Sequence, residues 1–149
     1  VRLYLLRHAK SSWDEPGLAD HDRPLAPRGR RAAKAMGRYL QEHEIEPDVI
    51  VCSSATRARQ TLERLGLAGA RIEPGLYGAD AATLRAFIPE TASVMLIGHN
   101  PGMHDVAVSL ARSGPGLAEL AAKFPTGALV TIELDTGELI DFVRPRDLA

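Results

Sequence analysis

Three apolar runs in the chain stop at imidazole, guanidinium and hydroxyl groups: Arg7 and His8 follow "LYLL", Ser53 and Ser54 follow "VIVC" with Arg57 just beyond, and His99 and Asn100 follow "VMLIG". An arginine is a planar, permanently charged fork that can bond two oxygens of one anion. A histidine adds a neutral nitrogen able to attack phosphorus near neutral pH. If the three runs are strands of one sheet, two arginines and two histidines meet on one rim, and a phosphoryl group is the natural ligand of so cationic a pocket. Each residue alone has a plainer reading. His8 would be a hydrogen-bonded strand end, Arg57 a helix-surface residue and His99 a turn former ahead of Pro101. Only their joint placement favours chemistry, so the elements that position them matter.

Residues 1–6 form a short, nearly continuous apolar run, the pattern of a strand covered on both faces. Residues 12–27, rich in Asp, Gly and Pro, read as a long loop, and loops of that length in compact domains are often functional. From 27 to 44, Ala32, Ala35, Met36, Tyr39 and Leu40 recur at helical spacing, with Pro27 suited to the first turn. Residues 48–54 predict a second buried strand, followed by a helix that stops at Gly66. A short extended piece at 71–73, a helix around 81–87 and a strong strand at 93–98 come next. Pro101 and Gly102 then make a turn, a helix covers 104–111, and an irregular Gly- and Pro-containing stretch follows. "ALVTIELDTGELIDFV" closes the pattern as a hairpin turning at Asp135-Thr136-Gly137. This alternation predicts a three-layer α/β/α sandwich with a mostly parallel central sheet and an antiparallel C-terminal edge. Such sheets bind ligands at the carboxyl ends of their strands.

The bulk composition narrows the function classes. At 149 residues, 45% hydrophobic and 25% charged, the chain is expected to fold as a single domain over 1–149. A net charge of −1 provides no global field toward nucleic acid or anionic membrane, so any anion site is local. The one basic run, "RGRRAAK" at 28–34, lacks interleaved aromatics and reads as a solvated helix face rather than a nucleic-acid patch. Cys52 is the only cysteine, so there is no intrachain disulfide and no thiolate cluster, and in "VIVCSS" it reads as a small core residue. No run is long enough for a membrane span and no signal-peptide pattern opens the chain, so a cytoplasmic protein is expected. His21 and His43 lie in a loop and near a helix end, and His99 and His104 miss helical ligand spacing, so no metal is expected.

"LRHAKSSW", "DRPLAPRG", "SSATRARQT" and "VMLIGHNPG", in this order and at these separations, resemble the histidine phosphatase superfamily and its short SixA-like phosphohistidine phosphatase branch. The likeness covers nearly the whole chain. It implies a phosphoglycerate-mutase-like fold without a large cap insertion. By the same resemblance His8 is the nucleophile that becomes phosphorylated, Arg7 and Arg57 bind the phosphoryl oxygens, and His99 is the second histidine; no cofactor is implied. Two positions depart from the family pattern. Ala9 stands where glycine is commonest, and Gly75 stands where many relatives carry a glutamate proton donor, leaving Glu73 and Asp80 as the nearby candidates.

A weak or missing acid leans toward phosphoramidate substrates, because an imidazole leaves phosphorus more readily than an alkoxide does. The short chain leaves little room for insertions over a small substrate, so an open pocket is expected, rimmed by Lys10, Ser11, Ser12, Trp13, Arg23 and Asn100. Trp13 reads equally as a loop anchor or a substrate contact. The expected function is a monomeric phosphohistidine phosphatase acting on a phosphorylated protein side chain in signalling. Two alternatives stand beside it: a phosphomonoesterase for a small sugar or nucleotide phosphate, and a non-catalytic phosphate or phosphopeptide binder.

Overall fold

The computed structural model describes residues 1–149. Its centre is one six-stranded sheet in the order β3-β2-β4-β1-β5-β6, built from β1 (Arg2–Arg7), β2 (Val49–Ser53), β3 (Arg71–Glu73), β4 (Val94–Gly98), β5 (Leu129–Glu133) and β6 (Glu138–Val143). The first four strands run parallel, while β5 and β6 are antiparallel to their neighbours. The helices are α1 (Pro27–Glu42), α2 (Thr56–Leu65), α3 (Ala81–Arg85), α4 (Gly102–Leu110) and α5 (Leu117–Ala122).

Strand alternation divides the core between the two sheet faces. Leu3 and Leu5 of β1 pack with Leu84, Met103, Val106 and Leu120 of α3, α4 and α5. Tyr4 and Leu6 point the other way, toward Met36, Leu40, Ala58 and Leu65 of α1 and α2. Both faces of the parallel strands are therefore covered, which is why those strands read as continuous apolar runs.

This topology places the site. From β1 the chain crosses by α1 to β2, and from β3 it returns to insert β4 between β2 and β1. The connections after β1 and β4 thus diverge at adjacent strand ends, where a crevice opens in sheets of this class. Register holds the two ends together: Arg7 pairs with Gly98, and the His8 amide donates to the Gly98 carbonyl at 3.1 Å.

Two elements differ from the sequence expectation. The stretch after α4, read as irregular, contains α5, a six-residue helix too short for a periodic signature, whose Leu120 is buried in the core beside Phe124. Helix α4 begins at Gly102 rather than 104, with Pro101 already in helical conformation as its cap.

Gly29 lets α1 approach the segment behind His8. A Cβ there would lie 2.1 Å from the Lys10 carbonyl oxygen and 2.9 Å from the Lys10 nitrogen. Within a helix, glycine to alanine ordinarily gains up to about 1 kcal/mol. Here both obstacles are backbone atoms, so overpacking of about 1–3 kcal/mol wins. Gly29→Ala is expected to lower Tm by several degrees in thermal denaturation; an increase would contradict the contact.

Candidate active site

His8 is clamped from three sides. The Gly127 amide donates to the carbonyls of Arg7 (3.0 Å) and His8 (2.9 Å), the Gly98 carbonyl receives the His8 amide, and the Ala9 amide donates to Thr61 Oγ1 at 3.0 Å. Thr61 in turn donates to the Arg57 carbonyl at 2.8 Å, tying the segment after β1 to the first turn of α2. The imidazole itself is buried, with Nδ1 2.8 Å from the Ala9 carbonyl oxygen. A carbonyl can only accept, so Nδ1 carries the hydrogen and Nε2 presents a lone pair. Arg57 Nε donates toward that lone pair at 3.4 Å.

His99 follows β4, its ring centroid 5.0 Å from that of His8, and its Nε2 lies 2.7 Å from Ser53 Oγ at the end of β2. Its Nδ1 is buried without a partner in the chain. Burial above all pushes His8 down to about 3, with the charges of His99, Arg57 and Arg7 adding to it against the Ala9 hydrogen bond. Burial and then Arg57 bring His99 to about 4. Both rings are therefore uncharged at neutral pH.

The sign of the resulting linkage is fixed. An unfolded histidine takes its proton near pH 6.5, whereas these two take theirs only near 3 and 4, so protons favour the unfolded chain throughout that interval. Stability is complete above about pH 6.5 and falls as pH drops toward 3–4. Midpoints of urea unfolding are expected to decrease steadily from pH 7 to pH 4.5; a flat profile would contradict the buried neutral pair.

The two arginines are held differently. Arg7, half-buried, donates through Nη1 to the Phe124 carbonyl at 3.1 Å, an oxygen that also accepts from Asn100 Nδ2 at 2.9 Å. Arg7 Nε and Asn100 Oδ1 are buried with no partner in the chain. Arg57 donates through Nη1 to the Asp20 carbonyl at 2.8 Å and through Nη2 to Asp20 Oδ2 at 3.1 Å. Asp20 also accepts from Tyr77 Oη at 2.6 Å and Arg23 Nη2 at 3.2 Å. Tyr77 first, then Arg23 and Arg57, hold its carboxyl far below the usual range.

Arg7, His8, Arg57 and His99 therefore come together as the sequence predicts. The other candidates fall elsewhere. Glu73 accepts from Gly75 N at 2.9 Å and pairs with Arg71, while Asp80 caps α3 by accepting from Thr83 N at 2.8 Å. Neither bonds to any of the four, and these local donors lower both carboxyls. Of the expected rim, Lys10 is exposed, Ser11 forms an isolated bridge to Leu25, and Arg23 is buried behind Asp20. The Arg23 guanidinium carbon sits 3.5 Å from the ring centroid of Trp13, which is otherwise exposed. Asp20 and Tyr77 were not singled out from sequence, and Thr61 entered only as the last residue of the "SSATRARQT" motif; the only signal for Asp20 was the length of its loop. Burial pushes the Cys52 thiol up to about 12, consistent with a core residue. No three His, Cys, Asp or Glu side chains converge where they could hold a metal ion.

Comparison with known proteins places this arrangement. Residues 3–84 match the family model described as histidine phosphatase superfamily, branch 1. The chain belongs to the histidine phosphatase superfamily. Within it, the chain is 40% identical over 138 residues to an uncharacterized protein of Mycobacterium tuberculosis, covering 87% of each. Among solved structures it is similar to one from Agrobacterium tumefaciens, provisionally named phosphohistidine phosphatase SixA: TM-score 0.88, 34% identity, 97% of this chain and 98% of that one. A protein histidine phosphatase SixA complexed with tungstate aligns over 100% of both chains, with 25% identity and a TM-score of 0.78. The resemblance to the SixA-like branch and the phosphoglycerate-mutase-like α/β fold of histidine phosphatases are thereby established.

Proposed function

We infer that the protein is a phosphohistidine phosphatase, acting as one uncapped domain that passes a phosphoryl group from a histidine of another protein through His8 to water. The observation that carries this reading is the state of His8: buried, neutral, with Nδ1–H spent on the Ala9 carbonyl and the Nε2 lone pair beside Arg57. The SixA-like relatives support the same substrate class.

In the first step the Nε2 lone pair attacks phosphorus. A new Nε2–P bond forms as the substrate's N–P bond breaks, and that electron pair leaves with the substrate imidazole, which takes a proton from solvent. Water then attacks phosphorus, the Nε2–P bond returns its electrons to His8, and orthophosphate departs with the water oxygen. Each transition state spreads negative charge over the three equatorial oxygens, and fixed donors aimed there supply the stabilisation. Arg7 and Arg57 are those donors. His99, neutral in the free protein, binds a proton more readily once a dianion lies beside it.

The carboxylates explain the choice of leaving group. Glu73 and Asp80 serve local backbone, and Asp20 is held ionised by Tyr77, Arg23 and Arg57. An alkoxide leaving group needs a proton delivered to it, and an acid so strongly ionised delivers poorly. An imidazole can collect its proton from water.

The test compares kcat/KM for a phosphohistidine-bearing protein and for para-nitrophenyl and alkyl phosphates, with EDTA present. Phosphohistidine is expected to be favoured over the alkyl ester by at least tenfold, and activity to survive the chelator. Comparable turnover of phosphohistidine and the alkyl ester would shift the reading to a small-molecule phosphomonoesterase.

A further inference from the structure

A cavity of about 590 Å³, lined by none of the four site residues, has as its charged lining the cations Lys10, Arg28, Lys123, Arg144 and Arg146 and the single acid Glu119. The whole chain carries a net charge of −1, so this concentration is local. Arg144 is paired with Asp147 at 3.1 Å. The side chains of Lys10, Arg28, Lys123 and Arg146 are exposed and have no ion pair or hydrogen bond within the chain.

The same groove receives the start of α1. Arg28 and Ala32, four residues apart on one helix face, both line it. Ala26 offers no side-chain cap, and the first turn of α1 contains no acid to neutralise the positive end of the helix. Part of the basic run read from sequence as a solvated helix face thus contributes to a built concavity.

The groove adjoins the chemistry through the backbone. Lys10 is two residues beyond His8, within about 7 Å of chain. Lys123 and Pro125 flank Phe124, whose carbonyl accepts from Arg7 and Asn100. A phosphorylated segment that continued from His8 toward residues 123–126 would meet these cations.

We propose that this groove is a docking site for acidic residues flanking the phosphohistidine of a protein substrate. The proposal rests on the phosphatase reading above and specifies its substrate class. No aromatic side chain lines the groove, so it lacks the stacking platforms with which single-stranded nucleic acid is held. Four unpartnered, exposed cations on separate elements suit carboxylates on a flexible segment.

The experiment uses two 15-residue peptides, each phosphorylated on one central histidine, with either Asp and Glu or Ser and Gln on both sides. The native protein is expected to show a kcat/KM at least tenfold higher for the acidic peptide at low salt, the ratio shrinking as salt rises. The variant carrying Arg28→Glu, Lys123→Glu and Arg146→Glu is expected to bring that ratio to one or below. Salt dependence of the native ratio is an independent readout should that variant fold poorly. Equal turnover of both peptides by the native protein, or an unchanged ratio in a folded variant, overturns the docking site and leaves the phosphatase reading standing. Failure of the native protein to hydrolyse either peptide while it hydrolyses para-nitrophenyl phosphate overturns both. If a single-stranded oligonucleotide competes with the acidic phosphopeptide far better than its unphosphorylated form does, the groove belongs to nucleic acid and the proposal fails.

Discussion

His8→Ala is expected to reduce kcat on phosphohistidine and para-nitrophenyl phosphate by about 10⁴-fold or more, in keeping with the loss of nucleophiles in other covalent mechanisms. The neighbouring nucleophiles are poorly placed to replace it. Cys52 is buried with its thiol pushed up to about 12, and the His99 ring is engaged through Nε2 with Ser53. If water instead attacked substrate directly, the variant would keep a substantial share of its rate. Rapid quenching with labelled substrate separates these cases: native protein should carry an acid-labile, alkali-stable label, and His8→Ala none. A second readout follows from burial. Alanine removes one imidazole that resists protonation in the folded state, so the loss of stability between pH 7 and pH 4.5 should be smaller in the variant. Retention of more than a tenth of native turnover would sink the covalent mechanism.

The sheet and the four central residues were legible in the sequence because one physical pattern encodes both. Parallel strands covered on two faces must be apolar throughout, so "LYLL", "VIVC" and "VMLIG" mark strands, and the polar residues behind them mark one rim. The tautomer of His8 was legible only as a requirement. A backbone carbonyl had to accept from Nδ1, but that Ala9 does so depends on how the chain turns after β1. Asp20 was invisible for a different reason. It lies thirty-seven positions from Arg57 in an irregular loop, where no periodicity fixes direction, and its role comes from a short turn aiming both its carbonyl and carboxylate at one guanidinium. Glu73 and Asp80 show the converse. Carboxylates near a motif look available in a sequence, but acceptor groups beside turns and helix starts are claimed by the nearest free amides. The cationic groove combines both lessons: Arg28 belonged to a recognisable basic run, whereas Lys123 and Arg146 join it only through folding.

Arg57→Ala is expected to lower kcat/KM by about 10²–10³-fold, the usual consequence of removing one fixed donor from a developing oxyanion. Arg57→Lys should recover less than a tenth of that loss. The native guanidinium directs Nε to His8, Nη1 to the Asp20 carbonyl and Nη2 to Asp20 Oδ2, and a single ammonium cannot span three directions. The same geometry fixes the sign of a companion change. A phosphoryl oxygen arriving at Arg57 meets a guanidinium already engaged by a carboxylate, with Asp20 fully ionised beside it. Asp20→Asn removes that charge while keeping an oxygen that can accept from Tyr77 or Arg23. Orthophosphate and tungstate should consequently inhibit Asp20→Asn at concentrations several-fold lower than they inhibit native protein. If the dominant role of Asp20 were to hold Arg57 in place, the shift would run the other way and resemble a mild Arg57→Ala. Inhibition constants for the two anions, measured alongside kcat for both variants, separate repulsion of the substrate from orientation of its binding arginine.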